Sequence, residues 1–470
     1  MIDINKVKSL YSSYKDKRKH YIDIDKYYFG NTDIVKYNKP VPNRSNARVN
    51  TNFMQKLVDE EALYSFGNKV TFKAIDEKHK DALKLISYHF KNNGANYNNY
   101  IGKRLVEFHL GYELSYINRQ GKFKNMWITP IEGDMYYNQY NEPEFFMYVH
   151  SKKIYDKELK MTKYVDYMDI YDDKYVYYLD EEYNVYEEKA HNMGCLPVKD
   201  GIIDNVRYTK KNGYVEGDKT IYRTIKTLQD AFEQNLSDIT QEITDFHNAI
   251  LKFYGIELEN ELDHDGNVIL GADGRPLKKE PIVKANSTLY FEDKQTQDAE
   301  WLIKNINDVF IKNTRDDLKD LIYTLTSHID SNEKMQSNIS GIALRSRLQT
   351  LESKVKSNEN AMEDVIRYRI GCLFNWLRLT NVGDYDENMI SIEFTPCVPQ
   401  DIQVLAQVVS QIPHEVLSNE TKRAMLPVTY GNIEDEQNRI NNELKAQTDL
   451  FPTNLDNLAS TGGELDGNVE

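Results

Sequence analysis

The residues with the clearest potential for chemistry lie together at positions 261–266, where acidic side chains flank a histidine. Asp263, His264 and Asp265 offer the oxygen and nitrogen atoms that bind divalent metals in proteins. A calcium loop of the EF-hand type places its glycine at about position 6 from the first aspartate. Gly266 is the fourth residue counted from Asp263, and an Asp-Gly pair is typical of a tight turn. The spacing therefore favours a solvated turn, with a metal-dependent enzyme as the alternative.

Other signatures of catalysis are missing from the sequence. It contains no GxxxxGKS/T loop for nucleotide phosphates, no GxSxG nucleophile motif and no HExxH zinc motif. No nucleophile and general base stand at a spacing that supports a catalytic pair. His328 lies at the end of a predicted helix and is interpreted as a packing or surface residue. We therefore predict a protein that is not an enzyme and that needs no cofactor or metal.

Composition narrows the class of protein further. Of the 470 residues, 40% are hydrophobic and 28% are charged, and no apolar run approaches the ~20 residues that span a membrane. The first residues lack the apolar stretch of a signal peptide. Cys195, Cys372 and Cys397 are too far apart for a zinc cluster or a disulfide framework. We expect a soluble protein of a reducing cytoplasm, with no membrane partner.

The net charge is unexpected for a protein that binds nucleic acid. Asp and Glu number 74 against 59 Lys and Arg, which gives a net charge of −15. Proteins that grip DNA neutralise its phosphates with basic residues. The chain therefore either ignores nucleic acid or lies close to it without holding it tightly.

The elements that would position these residues follow from hydrophobic periodicity. In the first quarter of the chain, helices are predicted over 6–19, 52–67, 77–91 and 95–110. Gly67 is predicted to form a left-handed cap at the end of the second of these helices. The tyrosine-rich stretch 112–200 alternates short aromatic and β-branched runs with turn residues. This pattern predicts an antiparallel meander of strands.

The second half of the chain predicts long helices around a small insert. One apolar stripe continues from Ile221 to Ile250 in steps of three and four residues, which predicts a helix over 218–254. Two Asp-Gly turns indicate hairpins in an insert at 256–299. Further helices are predicted over 298–328, 340–380, 400–411, 418–425 and 433–447, with a strand at 389–395 and a disordered polar tail from 451. The predicted fold class is α+β and predominantly helical.

The order of these elements and several motifs resemble the portal proteins of tailed double-stranded-DNA bacteriophages. The resemblance covers about residues 27–447. Its most specific motif is Ser340-Gly341-Ile342-Ala343-Leu344, which opens the third long helix. The other motifs are Tyr27-Tyr28-Phe29-Gly30, Asn43-Arg44, 49–59, 64–67, 191–197, 229–238, 417–421 and the glutamates Glu434, Glu436 and Glu443.

In that family a dodecameric ring surrounds a central channel at one capsid vertex, and the resemblance implies a similar ring subunit. The implied parts are a wing (1–217), a first stem helix (218–254), a β-containing clip (255–297), a second stem helix (298–328), a tunnel loop (329–339), a long helix and strand returning to the wing (340–398), a helical crown (399–450) and the tail (451–470).

The resemblance also implies which residues approach DNA. On the second stem helix, at roughly 100° per residue, four basic side chains fall within an arc of about 80°, opposite much of the apolar face. We expect this arc to line the channel through Lys304, Lys312, Arg315 and Lys319. We expect the tunnel loop to touch the duplex through Ser331, Asn332, Glu333, Lys334, Met335, Gln336, Ser337 and Asn338. An ordinary solvated helix face is the alternative interpretation of the basic arc.

The implied partners are other copies of this chain, double-stranded DNA without sequence specificity, the terminase large subunit, the major capsid and scaffolding proteins and a head-completion adaptor. Asp265, Gly266, Asp273 and Gly274 of the clip would face the terminase. The expected location is the capsid vertex of the virion, after assembly in the host cytoplasm. An acidic ring fits this function because it repels phosphate and lets DNA slide. The alternative is a structural capsid or head–tail connector protein that does not itself enclose DNA.

Overall fold

The computed structural model describes residues 2–37, 46–156, 161–205, 209–211, 214–216, 218–246, 250–254, 258–279, 298–302, 308–330, 341–395, 409–413, 416–424 and 433–450. Its α-helices are α1 (Ile4–Tyr28), α2 (Asp33–Lys36), α3 (Phe53–Phe66), α4 (Lys80–Phe90), α5 (Tyr97–Phe108), α6 (Ile221–Phe246), α7 (Asp308–Thr326), α8 (Gly341–Leu379), α9 (Asn419–Ala424) and α10 (Ile433–Leu450).

The strands are β1 (Thr71–Ala74), β2 (Leu110–Ile117), β3 (Phe123–Ile128), β4 (Gly133–Tyr137), β5 (Pro143–Asp156), β6 (Met161–Tyr171), β7 (Tyr175–Leu179), β8 (Val185–Ala190), β9 (Val198–Ile202), β10 (Thr209–Lys211), β11 (Tyr214–Glu216), β12 (Ile250–Tyr254), β13 (Asp298–Leu302) and β14 (Ile390–Glu393). Helices and strands are mixed, as the α+β class requires, and helices contain more of the described residues than strands do.

The strands form one large sheet and several smaller ones. The five-stranded sheet has the order β4-β5-β6-β7-β8, in which every strand pairs antiparallel with its neighbour in the chain. This order confirms the predicted meander. A three-stranded sheet has the order β3-β2-β9, and the pairs β1-β14, β10-β11 and β12-β13 are two-stranded. The β1-β14 pair joins the segment after α3 to the segment after α8.

Helix α1 contributes to two hydrophobic cores. Its first half packs Val7, Leu10 and Tyr14 against the five-stranded sheet, which forms one core. Its second half places Tyr21 and Ile24 in a larger core with α3, α5, the three-stranded sheet and α8, which we call the main core. All five side chains lie on one face of α1, because they follow the three- and four-residue spacing of an amphipathic helix. One continuous helix therefore joins the two cores.

A buried ion pair fixes α8 to the main core. Arg369 of α8 donates to both carboxylate oxygens of Glu113 in β2, at 2.8 and 2.7 Å, and both side chains are at most 2% exposed. The guanidinium also donates to Asn98 (2.9 Å) and lies 5.2 Å from the ring centroids of Phe90 and Tyr97. Two-point pairing with further hydrogen bonds compensates for the loss of water around both charges. Neither α8 nor another described helix is long and apolar enough to cross a bilayer.

The structure corrects the predicted ends of two long helices. The helix predicted over 218–254 ends at Phe246, and Ile250–Tyr254 is a strand that pairs antiparallel with Asp298–Leu302. The helix predicted from residue 298 therefore begins only at Asp308. The run Ile-Leu-Lys-Phe-Tyr is rich in strand-forming residues, and its distant partner supplies the backbone hydrogen bonds of a ladder. The helical prediction missed this because local spacing does not show a distant partner.

The left-handed cap predicted at Gly67 is also wrong. Gly67 has a right-handed conformation (φ −65°), and its N–H bonds to the Leu63 carbonyl (2.8 Å) as in a continuing helix. A left-handed cap occurs instead at His109 (φ 55°), which follows the last residue of α5 and precedes the first residue of β2. The third long helix is confirmed, since α8 covers Gly341–Leu379.

We predict that Arg369→Ala lowers the free energy of unfolding by about 3–5 kcal/mol, because Glu113 would stay buried without its cation. Urea denaturation followed by circular dichroism measures the change. The control is Lys84→Ala, which removes an exposed ion pair with Asp81 and should change the free energy by less than about 0.5 kcal/mol. Equal effects of the two substitutions would contradict the role assigned to Arg369.

Candidate functional site at helices α6 and α7

Helix α6 is anchored to α1 where it begins. The Thr220 hydroxyl accepts a hydrogen bond from the Arg223 N–H (3.3 Å), which caps the first turn. Asp218 accepts from the Thr220 N–H (2.9 Å) and lies 2.7 Å from Nε2 of His20 in α1. Burial raises the pKa of the Asp218 carboxyl, but the hydrogen bonds from His20 and Thr220 outweigh burial and the net pKa is lowered. A charged Asp218 therefore holds the start of α6 against α1.

Three buried polar side chains of α6 face the N-terminal part of the chain. Gln229, Glu233 and Ser237 follow one another at intervals of four residues and therefore lie on one side of the helix. The Glu233 carboxylate accepts hydrogen bonds from the Thr32 hydroxyl (2.6 Å), the Thr51 N–H (2.9 Å) and the Gln229 amide (3.1 Å). A carboxylate is tolerated at this buried position because these donors replace water.

The extended segment 46–52 lies along this side of α6. Three of its N–H groups, two residues apart, donate to three α6 side chains, four residues apart: Thr51 to Glu233, Val49 to Ser237 (2.9 Å) and Ala47 to Gln241 (3.0 Å). Two residues of extended chain and four residues of helix advance by about 6.6 Å and about 6 Å. The two repeats therefore match, and helical side chains take the place of a neighbouring strand. We call this row of contacts the α6 ladder.

Two motifs behind the portal resemblance meet in the α6 ladder. The stretch 49–59 supplies the extended segment and the start of α3, and the stretch 229–238 supplies the helical side chains. The sequence prediction placed 229–238 on a helix but found no partner for its polar residues. The sequence contained one sign of this contact: the polar residues repeat every four positions, next to the apolar residues that gave the helix its periodicity. Their partner lies 188 positions away at Val49–Ser237, which a local pattern does not reveal.

Helix α7 packs on α3 and α6 near its C-terminal end. Ile322, Tyr323 and Thr326 are buried there. The Tyr323 ring lies 6.2 Å from Phe53 of α3, and Phe53 lies 5.2 Å from Phe232 of α6, both edge to face. Aromatic contacts of this kind join the three helices, so the position of α7 depends on that of α6.

Another side of α7 exposes large apolar residues. Phe310, Leu321 and Leu325 are 67%, 46% and 54% exposed, and at 100° per residue they fall within an arc of about 60°. We call these three residues the α7 apolar stripe. Ile243 of α6 is also largely exposed. Leu321 and Leu325 are one helical turn apart, and neighbouring exposed apolar residues are typical of a surface that contacts another macromolecule.

The basic residues predicted to face DNA differ in their surroundings. Lys312 is exposed. Arg315 is partly buried, and its Nε lies 3.7 Å from Asp316. Lys319 forms an ion pair with Asp330, and this hydrogen bond raises the pKa of its ammonium group. Lys319 is therefore held against its own subunit, whereas Lys312 can reach solvent.

The end of α7 is fixed by a buried histidine. Ser327 has φ +62°, so the chain turns sharply there. The ring nitrogens of His328 lie 2.9 Å from the Thr326 carbonyl oxygen and 3.1 Å from the Leu57 carbonyl oxygen. Lys354 of α8 donates to the same Thr326 oxygen (2.8 Å). These contacts agree with the interpretation of His328 as a packing residue, and they join α3, α7 and α8.

The insert between α6 and α7 contains the two predicted turns. Gly266 (φ +83°) and Gly274 (φ +75°) adopt the left-handed conformation that glycine allows. The Asp263 carboxylate accepts the N–H groups of Asp265 (3.0 Å) and Asn267 (2.8 Å). Hydrogen bonds from Asn267, and then from Asp265, lower the pKa of Asp263. The prediction of a solvated turn is therefore confirmed, and among the described residues no group of three His, Cys, Asp or Glu is placed to hold a metal.

Several predicted features fall outside the described residues and stay predictions. They are Lys304, the tunnel-loop residues 331–338, the second half of the insert at 280–297, most of the helix at 400–411, and the tail from 451.

Comparison with known proteins identifies the family. The family model described as phage portal protein, SPP1 Gp6-like, matches residues 7–449. The chain belongs to this portal family. The match confirms the resemblance seen in the sequence, and it spans both sides of the α6 ladder as well as α7 and α8. The portal family is structural and non-enzymatic, in agreement with the prediction that the chain is not an enzyme.

Solved structures with a similar chain include particles of a gene transfer agent. A chain from the neck of an empty particle, computed with C6 symmetry, has a TM-score of 0.42 and 10% identity, covering 79% of this chain and 90% of that chain. A chain from the native virion has a TM-score of 0.42 and 11% identity, covering 79% and 89%. No significant match is found among curated proteins.

Removing one acceptor of the α6 ladder should lower the free energy of unfolding. Ser237→Ala should lower the free energy of unfolding by about 1–3 kcal/mol, because the Val49 N–H loses its partner. Thr240→Ala, on an exposed part of the same helix, should change it by less than about 0.5 kcal/mol. Urea denaturation measures both values, and amide hydrogen exchange of 46–52 should become faster only in Ser237→Ala. Unchanged exchange in that variant would contradict the ladder.

Proposed function

We propose that the chain is the portal subunit of a tailed phage and that it forms a dodecameric ring at one capsid vertex. The ring would be the channel through which double-stranded DNA is packaged and later ejected. The family match over residues 7–449 carries this proposal. The ring would assemble in the host cytoplasm with the major capsid and scaffolding proteins, and would dock the terminase large subunit and then a head-completion adaptor.

The α7 apolar stripe supports a ring because it needs a partner. Its three side chains are too exposed to be stabilised by their own subunit, and covering them removes apolar surface from water. In a closed ring each copy presents the same two surfaces to its neighbours, so the stripe of one copy can be covered by the next. Ile243 of α6 lies on the adjoining helix and would extend this interface.

The charges support a channel through which DNA slides. The net charge of −15 repels phosphate and would keep a duplex away from the wall. Lys312 and Arg315 lie on the side of α7 away from the stripe, at about 100° per residue, and would make transient phosphate contacts. Lys304 and the tunnel loop at 331–338 would continue this path. Lys319 would contribute less, since Asp330 already neutralises it.

The insert would form the rim that meets the terminase. It lies between α6 and α7 in the chain, and its turns at Asp265-Gly266 and Asp273-Gly274 are exposed. The bridges Leu262–Val268 and Leu270–Pro276 make each turn a local structure. A ring would collect many copies of these turns at one end, where a packaging motor could dock.

The first test of the ring is the mass of the assembly. Leu321→Asp with Leu325→Asp should shift the protein from a large oligomer to monomers or small oligomers, because each interface would bury two unpaired carboxylates. The control is Val382→Asp, because Val382 is 56% exposed and lies outside the stripe. Native mass spectrometry and electron microscopy measure the outcome. Intact rings in the double variant, or a wild-type protein that is only monomeric at micromolar concentration, would contradict the interface.

The second test concerns DNA. Lys312→Glu with Arg315→Glu should leave ring assembly normal and reduce packaged DNA several-fold, because phosphate contacts would become repulsive. Lys84→Glu, an exposed charge reversal on α4, is the control and should package normally. Nuclease-protected DNA in particles assembled with terminase measures the yield. If the double variant packaged as much DNA as the wild type, neither residue would contact the DNA during packaging. The proposal of a ring would not be affected, because the mass measurement tests it separately.

A further inference from the structure

Cys195 and Cys372 contact each other where the loop before β9 packs on α8. Their separation in the sequence, which argued against a disulfide framework, does not separate them in the fold. Cys195 lies in the loop between β8 and β9, and Cys372 lies in α8. Their Sγ atoms are 3.6 Å apart, although the residues are 177 positions apart in sequence. This distance is a contact between thiols, and a disulfide bond of about 2.0 Å could form after a shift of less than about 2 Å. The two thiols are therefore already in contact.

The surroundings of the two thiols are unequal. Cys195 is partly exposed. Its Sγ accepts from the Asn375 amide (3.6 Å), lies 3.6 Å from the Cys372 Sγ, and as a thiol donates to the Met193 carbonyl (3.7 Å). Cys372 is 1% exposed. The hydrogen bond from Cys372, followed by that from Asn375, lowers the pKa of Cys195 to about 7 although burial raises it. The hydrogen bond to Cys195 and burial raise the pKa of Cys372 well above its usual value. Near neutral pH Cys195 is therefore the more nucleophilic thiol.

The loop that carries Cys195 turns sharply before the cysteine and is held by buried residues on either side of it. Gly194 has φ +72°, and no other atom lies within 4 Å of the position that a Cβ would occupy there. The neighbouring Asn192 also has a positive φ (55°). Met193 and Leu196 are buried in the main core on either side of Cys195, and Cys372 is buried in the same core, so the loop and α8 together hold the two thiols in contact.

We propose that Cys195 and Cys372 form a redox-responsive site that closes to an intramolecular disulfide when the protein meets a peroxide. The Cys195 thiolate attacks one oxygen of hydrogen peroxide, the O–O bond breaks, and hydroxide leaves, so that Cys195 becomes a sulfenic acid. The Cys372 sulfur then attacks the Cys195 sulfur, and its proton leaves with the hydroxyl group as water. Two thiols are oxidised to one disulfide, and one peroxide is reduced to two waters.

The disulfide would close a long part of the chain into a covalent loop. The 177-position span between the cysteines contains α6, the insert and α7. A cross-link across so long a span restricts the unfolded chain strongly. A reducing cytoplasm keeps such thiols reduced, and an oxidising medium outside the cell allows the disulfide to form. The covalent state of the two cysteines is independent of the proposed ring and of DNA.

The first experiment follows the cross-link in the full chain. Wild-type protein and Cys397→Ser are treated with hydrogen peroxide, blocked with an alkylating reagent, digested and examined by mass spectrometry. Both should lose two hydrogen atoms, yield one linked peptide pair from Cys195 and Cys372, and unfold at a higher temperature until a reductant is added. Two alkylated cysteines after treatment, a sulfinic acid at Cys195 without a link, or a link to Cys397 would each overturn the proposal.

The second experiment separates the two roles. In Cys372→Ala, Cys195 should stop at the sulfenic acid and be trapped by dimedone, and the midpoint of its alkylation rate against pH should rise from about 7 toward that of an ordinary thiol. In Cys195→Ala, Cys372 should stay unmodified because it is buried. If the alanine variants do not fold, Cys372→Ser and Cys195→Ser serve instead, with trapping as the measurement. Equal reaction of Cys372 with and without Cys195 would overturn the assignment.

Discussion

The burial of the Glu233 carboxylate governs how the chain is arranged around α6. A carboxylate removed from water costs several kcal/mol unless donors surround it, and here the donors come from Thr32 and Thr51. These residues belong to the turn after α1 and to the extended segment before α3. Helix α6 can therefore lie only where both segments converge. Because α7 rests on α6 and α3 through Phe53, the direction of its exposed apolar stripe follows from the same requirement.

Buried polar contacts also hold α7 and α8, the helices by which the chain returns to the main core. Arg369 and Glu113 hold α8 on the three-stranded sheet, and His328 links the end of α7 to the Leu57 carbonyl of α3. The chain thus leaves the main core through α6 and returns to it through α7 and α8. The contact of His328 holds the end of α7, and the ion pair of Arg369 holds α8. The surfaces proposed for assembly and for DNA lie between these anchors. A rigid support of this kind lets exposed helices and turns vary without loss of the fold.

Sequence patterns predicted what depends on local spacing. The 39 residues of α8 and the five-stranded meander were evident, because helical periodicity and alternating tyrosine-rich strands are local properties. The end of α6 was missed because Ile250–Tyr254 needs Asp298–Leu302 as a partner. The α6 ladder was missed for the same reason. The spacing of the basic arc was visible in the sequence. The pairing of Lys319 with Asp330 was not, because it depends on how the chain turns after α7.

Helix α1 gives the subunit a mechanical property. Its 25 residues form a rod of about 37 Å, with one half embedded in each hydrophobic core. A force applied to the five-stranded sheet reaches the main core through this rod, along a helix that no flexible linker interrupts. A displacement of one core therefore also moves the helix that is packed in the other, so that the two ends of the subunit are mechanically coupled through α1.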